Sequence, residues 1–246
     1  MITKNTVKFI QSLKLQKYRN EHKCFVVEGR KMVDELLNTP FEIVYLLATE
    51  RFLEDHPIDH PMLECVTEVQ MEQMSGQDTP PGILAVARIP AHGAVADEKM
   101  TLALDGIANP GNLGTIIRTA EWFGIKQIVC SEDCVELWNP KVIQATMGSI
   151  FRVRVIYSDL RRYLESANSQ GKAIYGALLE GENLFKKGNW DDGVIVIGSE
   201  SHGIRNEILP LITHPITIPR ATGSITESLN ASIAAGIILA AISSNS

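Results

Sequence analysis

His214-Pro215-Ile216-Thr217-Ile218-Pro219-Arg220-Ala221-Thr222-Gly223-Ser224-Ile225-Thr226-Glu227-Ser228-Leu229-Asn230, running on through Ala231–Ser243, sets a β-branched strand, a polar loop and a small-residue helix in succession. Pro219 and Gly223 break regular structure, and Ser228 or Asn230 is placed to cap the helix. That helix carries Ala231, Ser232, Ala234, Ala235, Gly236, Ala240 and Ala241, so its backbone can approach a neighbour closely. A polar loop held between an apolar strand and an apolar helix invites a function, although a tight turn alone would account for it. The rest of the chain has to decide.

Working back from this stretch, apolar runs at Thr101–Asp105, Ile128–Cys130, Val153–Ile156, Ala173–Leu178, Val194–Gly198 and Ile216–Ile218 read as strands. Helices are expected at Thr115–Phe123, from Pro140 to Gly148, and from a Ser158 cap to Ser169. Continuous apolar strands alternating with helices predict an α/β fold with a parallel sheet covered on both faces. Ligands of such sheets bind beyond the carboxyl ends of the strands. Three loops of unusual composition leave those ends: 105–114, 198–204 and 218–230. Upstream, an amphipathic helix over 5–17, strands at Cys24–Gly29, Ile43–Ala48 and Ile83–Ala87, and helices at Lys31–Asn38 and near Met71 predict a smaller α/β domain over 1–89. Residues 90–100 lack periodicity and read as a linker, which leaves 101–246 as the second domain.

A chain of 246 residues with this ordinary composition is neither disordered nor fibrous. No signal-peptide pattern opens it, and its longest apolar run, Ile233–Ile242, is too short to span a bilayer. Cys24, Cys65, Cys130 and Cys134 form no CxxC pair, so reduced thiols in a cytoplasmic protein without a membrane partner are expected. The net charge of −6 is unevenly spread. Residues 1–31 hold eight Lys/Arg against two acids and leave 15 basic and 27 acidic residues in the remainder. Such an arm is either a solvated amphipathic helix or a phosphate-binding footprint. Lys14, Lys17, Arg19 and Arg30 are its candidate phosphate contacts.

The glycines at 106, 111 and 114 fit neither GxGxxG nor GxxxxGK[ST], which disfavours a dinucleotide or P-loop site. On the helix that follows, Leu113, Ile116, Ile117 and Ala120 form the buried stripe and Arg118 lies off it, facing solvent, a cleft or a partner. In the second loop Glu200 is a carboxylate near the end of a buried strand, suited to act as a base, a hydroxyl ligand or a helix cap. His202 beside it is an ordinary loop histidine unless a partner is found. Pro57 and Pro61 oppose the helix that would align His56 with His60, so no metal site is expected.

Together the three loops resemble the motifs of the SpoU (TrmH-like) class of SPOUT RNA ribose methyltransferases. Asn109-Pro110-Gly111-Asn112-Leu113-Gly114-Thr115-Ile116-Ile117-Arg118-Thr119-Ala120 is similar to the first motif and Ile197-Gly198-Ser199-Glu200-Ser201-His202-Gly203-Ile204 to the second. Ile218-Pro219 with Glu227-Ser228-Leu229-Asn230-Ala231-Ser232 is similar to the third. Phe25-Val26-Val27-Glu28-Gly29 and Thr79-Pro80-Pro81-Gly82-Ile83-Leu84-Ala85 resemble the ribosomal-protein-like substrate-binding domain that precedes many ribosomal-RNA members.

The resemblance implies a parallel-sheet SPOUT domain with a C-terminal trefoil knot, a homodimer formed through the C-terminal domain, and S-adenosylmethionine as cofactor. It assigns Arg118, Asn112, Glu200, Ser228 and Asn230 to catalysis. Gly198, Ile218, Leu229, Ile197 and again Asn230 are assigned to the cofactor. The chain departs from the pattern at Asn109, where aspartate is common, at Ser201, where glycine is common, and in a longer loop between Pro219 and Glu227. The implied activity is 2′-O-ribose methylation of RNA, with ribosomal RNA favoured by the N-terminal domain. The alternatives are transfer RNA as substrate, or a non-catalytic RNA-binding assembly factor that keeps the fold.

Overall fold

The computed structural model describes residues 2–91, 93 and 95–244; linker positions 92 and 94, and residues 1, 245 and 246 of the expected domains, lie outside the described residues. The chain forms two compact units. One comprises residues up to Ala91 together with Glu136–Phe151; the other takes the stretch ending at Val135 and everything from Arg152 onward.

The first unit runs α1 (Lys4–Ser12), α2 (Gln16–His22), β1 (Cys24–Glu28), α3 (Arg30–Leu37), β2 (Ile43–Thr49), α4 (Glu50–Asp55), β3 (Leu63–Val66), α5 (Glu68–Met74) and β4 (Ile83–Arg88). Its sheet has the order β1-β4-β2-β3, with β4 antiparallel to both neighbours and β3 parallel to β2. The single helix expected over 5–17 is two helices. The break is held open by Arg19, whose Nη1 donates to the Leu13 carbonyl at 2.7 Å and the Lys14 carbonyl at 2.9 Å. These are carbonyls that a helix end leaves unpaired. The Arg19 guanidinium is also ion-paired with Glu136 and is buried. Arg19 is therefore a structural clamp, which corrects its expected place among the RNA-contacting residues.

Glu136–Phe151 contains α7 (Pro140–Thr146), a segment the sequence assigns to the second domain. Aromatic packing explains its place in the first unit. Trp138 packs against Phe25 at a tilt of 31° with ring centroids 4.3 Å apart, and Phe41 meets both Trp138 and Phe151 edge-on.

The second unit contains β5 (Met100–Asp105), α6 (Pro110–Trp122), β6 (Gln127–Cys130), β7 (Arg154–Tyr157), α8 (Leu160–Ser169), β8 (Ala173–Asn183), β9 (Gly193–Gly198), β10 (His214–Thr217) and α9 (Ala231–Ser243). The six strands are ordered β10-β8-β9-β5-β6-β7, and every neighbouring pair is parallel. The expected parallel α/β sheet is thus present. Ala103, Val129, Ile174 and Val196 pack with Leu160 and Leu164 of α8 in one core cluster. Each fully buried Val or Leu there contributes about 1.5–3 kcal/mol. Helix α9 buries Ala235, Ile238 and Leu239 and packs on α6 and β9.

Two boundaries differ from expectation. Helix α6 begins at Pro110 rather than near Thr115, because Asn109 accepts the Gly111 and Asn112 N–H groups and Pro110 suits the first helical position. Asp159, not Ser158, caps α8 by accepting from Arg162 N–H, where a carboxylate also meets the positive end of the helix dipole. No helix among the described residues is long and apolar enough to cross a membrane.

Candidate active site

The three loops meet at the carboxyl ends of β5, β9 and β10. Asn109 Oδ1 accepts from Gly111 N–H at 2.8 Å and Asn112 N–H at 3.1 Å, which fixes the first turn of α6 and aims the Asn112 side chain. Asn112 Nδ2 donates to Glu200 Oε1, and Asn112 Oδ1 accepts from Asn230 Nδ2 at 3.1 Å. Asn230 Oδ1 in turn accepts from the Ser232 and Ile233 N–H groups at 3.0 and 3.3 Å, capping α9. One hydrogen-bonded run, Glu200–Asn112–Asn230, therefore ties together all three sequence motifs. Its polarity is fixed, because each carboxamide has one acceptor and one donor end.

The Glu200 loop is tight. Ser199 N–H donates to the Gly203 carbonyl at 3.2 Å and Gly203 N–H returns to the Ser199 carbonyl at 2.9 Å. Gly203 sits at φ +66°, and a Cβ on Gly198 would lie 2.0 Å from the Gly203 carbonyl carbon. The close approach requires glycine at position 198, and the left-handed backbone favours it at position 203.

Beside this run lies a cavity of ≈ 800 Å³ between the β9 loop, the end of β10 and the start of α9. Ile197, Gly198, Ile218 and Leu229 line it, as do Glu200 and Ser228. Its size and its mixed lining, apolar side chains beside hydroxyl and charged groups, suit a small polar organic ligand. Asn230 is not among the lining residues; it acts through the cap and through Asn112. His202 also lines the cavity, and its Nδ1 lies 2.8 Å from Ser201 Oγ.

Arg118 lies apart from this cavity. It is exposed on α6, off the buried stripe of Leu113, Ile116, Ile117 and Ala120. Trp122, one turn further along the same exposed strip, is 84% exposed.

Sequence reasoning missed the charged group beneath the site. Asp105 is buried at the end of β5 and accepts from Arg205 N–H at 2.8 Å and from Arg205 Nε at 2.6 Å. Desolvation works against the Arg205 charge, but Asp105, with Asp133 and Glu207 beyond it, outweighs this and raises the guanidinium pKa. The Ser131 hydroxyl holds the Asp133 carboxyl below its usual range, overcoming desolvation, with Arg205 adding to the effect. The signal was available: a carboxylate ending the apolar run Leu102-Ala103-Leu104 needs a cationic or N–H partner. Nearby, Cys134 lies against Cys130, Ser131 and the Ile107 N–H, which together lower its thiol pKa to about 7 against desolvation.

Residues 99–240 match the family model described as the SpoU rRNA methylase family, and residues 4–85 match a model described as an MRM3-like substrate binding domain. Among curated relatives, the 23S rRNA (guanosine(2553)-2′-O)-methyltransferase of Bacillus subtilis is 25% identical over 95% of this chain and 94% of its own length. Among solved structures, a TrmH-family protein from Porphyromonas gingivalis is 35% identical with a TM-score of 0.90, covering 100% of both chains. An AdoMet-bound rRNA methyltransferase from Sinorhizobium meliloti shares the fold at a TM-score of 0.85 and 24% identity, over 98% of this chain and 95% of its own.

Proposed function

The chain belongs to the SpoU rRNA methylase family, and from that premise we propose that it methylates a ribose 2′-hydroxyl of ribosomal RNA with S-adenosylmethionine as donor. The observation that carries this is the Glu200–Asn112–Asn230 run beside a cavity of ≈ 800 Å³ with a mixed apolar and polar lining. The ribosomal-RNA 2′-O-methyltransferase name of the Bacillus relative supports the substrate class.

The cavity fits the donor in size and chemistry, with Ile197, Ile218 and Leu229 as apolar walls and the backbone around Gly198 within reach. When bound, S-adenosylmethionine supplies a methyl group on a sulfonium, open to in-line displacement. The protein then has to position a hydroxyl and favour its negative form. Asn112 is held in one orientation by Glu200 and Asn230, and Ser228 adds a hydroxyl on the cavity wall. A guanidinium makes a poor proton acceptor, which argues against Arg118 as the base. Its role is to hold a phosphate or stabilise the developing alkoxide.

Residues 1–89 are the RNA substrate-binding domain in this scheme, completed by Glu136–Phe151, with 90–100 the linker and the rest of 101–246 the catalytic domain. Lys14, Lys17 and Arg30 are its phosphate contacts, of which Lys14 Nζ also donates to the Ser75 carbonyl and Arg30 is paired with His56 and Asp34. The protein acts in the cytoplasm as a homodimer through α6 and α9. The exposed Trp122 and Ile233 support that interface, and Arg118 on the same strip would then stand at the subunit boundary. The insertion of β9 between β8 and β5, with α9 returning onto α6, supports a trefoil knot.

Titration calorimetry with S-adenosylmethionine tests the donor assignment. Binding by the wild-type chain, weakened in Leu229→Glu, is expected. No binding would favour the rival in which the fold serves only as an RNA-binding assembly factor.

A further inference from the structure

Asp105 is 1% exposed, and among the described residues the hydrogen bonds to its carboxylate come from Arg205 alone. Its Oδ2 accepts the Arg205 backbone N–H and its Oδ1 accepts Arg205 Nε. Arg205 stands at the far foot of the loop that carries Glu200. At the near foot, Gly198 is the register partner of Asp105 in the β9–β5 ladder. One residue thus grips both feet of that loop.

The other arm of the site springs from the same place. Directly after Asp105 the chain turns through Gly106, whose N–H donates to Ser131 Oγ at 2.9 Å, and enters the Asn109 cap and α6. Asn112 and Glu200 therefore meet at the tips of two arms with a common root. Arg205 Nη1 also faces Asp133 at 3.8 Å and Glu207 at 3.7 Å, so its guanidinium is braced from β5, from the turn after β6 and from its own loop.

We infer that Asp105 and Arg205 are a positioning pair for the methyl-transfer site. Their ion pair sets the 198–205 loop at the height where Glu200 meets Asn112, and neither residue touches substrate. Groups behind a reacting constellation fix its geometry, and a displacement of about 1 Å costs on the order of 100-fold in rate. Arg205 is partly exposed, and its backbone half of the clamp survives side-chain substitution, so the fold is expected to tolerate Arg205→Gln.

The inference rests on the methyltransferase reading, and its test separates the two. The full chain is assayed with S-adenosylmethionine and ribosomal RNA from cells lacking the gene. Arg205→Gln is expected to lower kcat about 100-fold, a much larger effect than its change in the KM for S-adenosylmethionine. Arg205→Lys, which keeps a charge facing Asp105, should recover most of the loss. The Asn112 side-chain amide, followed by ¹⁵N NMR, reports the same coupling without turnover. It should move toward a solvent-like shift in Arg205→Gln and stay in place in Arg205→Lys. Wild-type kcat or an unmoved Asn112 amide in Arg205→Gln overturns the inference. A shifted amide in a chain whose wild type methylates nothing overturns only the methyltransferase reading.

Discussion

Asn230 serves two elements with one carboxamide: its oxygen caps α9 and its nitrogen holds Asn112. The two roles come apart by substitution. Asn230→Ala loses both and should cost about 1 kcal/mol of stability from the cap, measured by denaturant unfolding. Asn230→Asp keeps the capping oxygen but removes the donor to Asn112 and brings a second carboxylate toward Glu200. It should leave stability near wild type and lower turnover more than it lowers donor affinity. The Cys130–Cys134 pair offers a pH test. Cys134 has its folded pKa lowered from 9.0 to about 7, chiefly by the Cys130 hydrogen bond. Its contribution to stability is therefore full above the unfolded value and is lost as pH falls through about 7. Cys130 is raised, first by its hydrogen bond with Cys134 and then by burial, so it acts oppositely, losing its contribution as pH rises above the usual thiol range. Thiolate absorbance should show a group titrating near pH 7 that moves up in Cys130→Ala. At this scale motif resemblance pointed to Asn112, Glu200 and Asn230, which the structure brings into one hydrogen-bonded run, whereas nothing in the sequence joined Asp105 to Arg205. They are 100 residues apart in sequence, and only the sheet brings them together.

Among the elements, the Glu200 loop depends on a contact that admits no side chain. Gly198→Ala would place a methyl group 2.0 Å from the Gly203 carbonyl carbon, so the loop must open. The expected cost is about 1–3 kcal/mol, with a loss of donor affinity by calorimetry because Gly198 also lines the cavity. Apolar runs located the six strands of the parallel sheet and β1, β2 and β4 of the first unit, since strands buried on both faces carry continuous hydrophobic sequence, whereas β3 is mostly half-exposed and carries no such run. Boundaries were harder where polar residues belong to an element. The first turn of α6, Pro110-Gly111-Asn112, reads as a loop by composition and is helical because Asn109 caps it. The far half of β8, Leu179–Asn183, is exposed or partly exposed and carries no buried-strand signature. The break between α1 and α2 was hidden because its cause, Arg19, lies outside both the helix end it satisfies and the expected span.

Over the whole molecule, periodicity reveals alternating strands and helices but not their order. That β9 lies between β8 and β5 is a matter of long-range pairing, which hydropathy does not record. Motif resemblance supplied the family, and with it the expectation of a dimer. The exposed Trp122 and Ile233 make that expectation testable: Trp122→Glu with Ile233→Lys should convert a dimer to a monomer in sedimentation, and a monomeric wild type would contradict the proposed interface. The basic residues of the first unit predict RNA affinity that falls steeply with salt, in proportion to the phosphates neutralised. The most direct measurement is nucleotide-resolution mapping of 2′-O-methyl groups on ribosomal RNA from cells lacking the gene, after treatment with purified protein and S-adenosylmethionine. The wild type should place a methyl group on a ribose 2′-oxygen, and Arg118→Ala should place none while still binding the donor. Methylation of a base, no methylation at all, or near-normal turnover by Arg118→Ala would contradict the assignment.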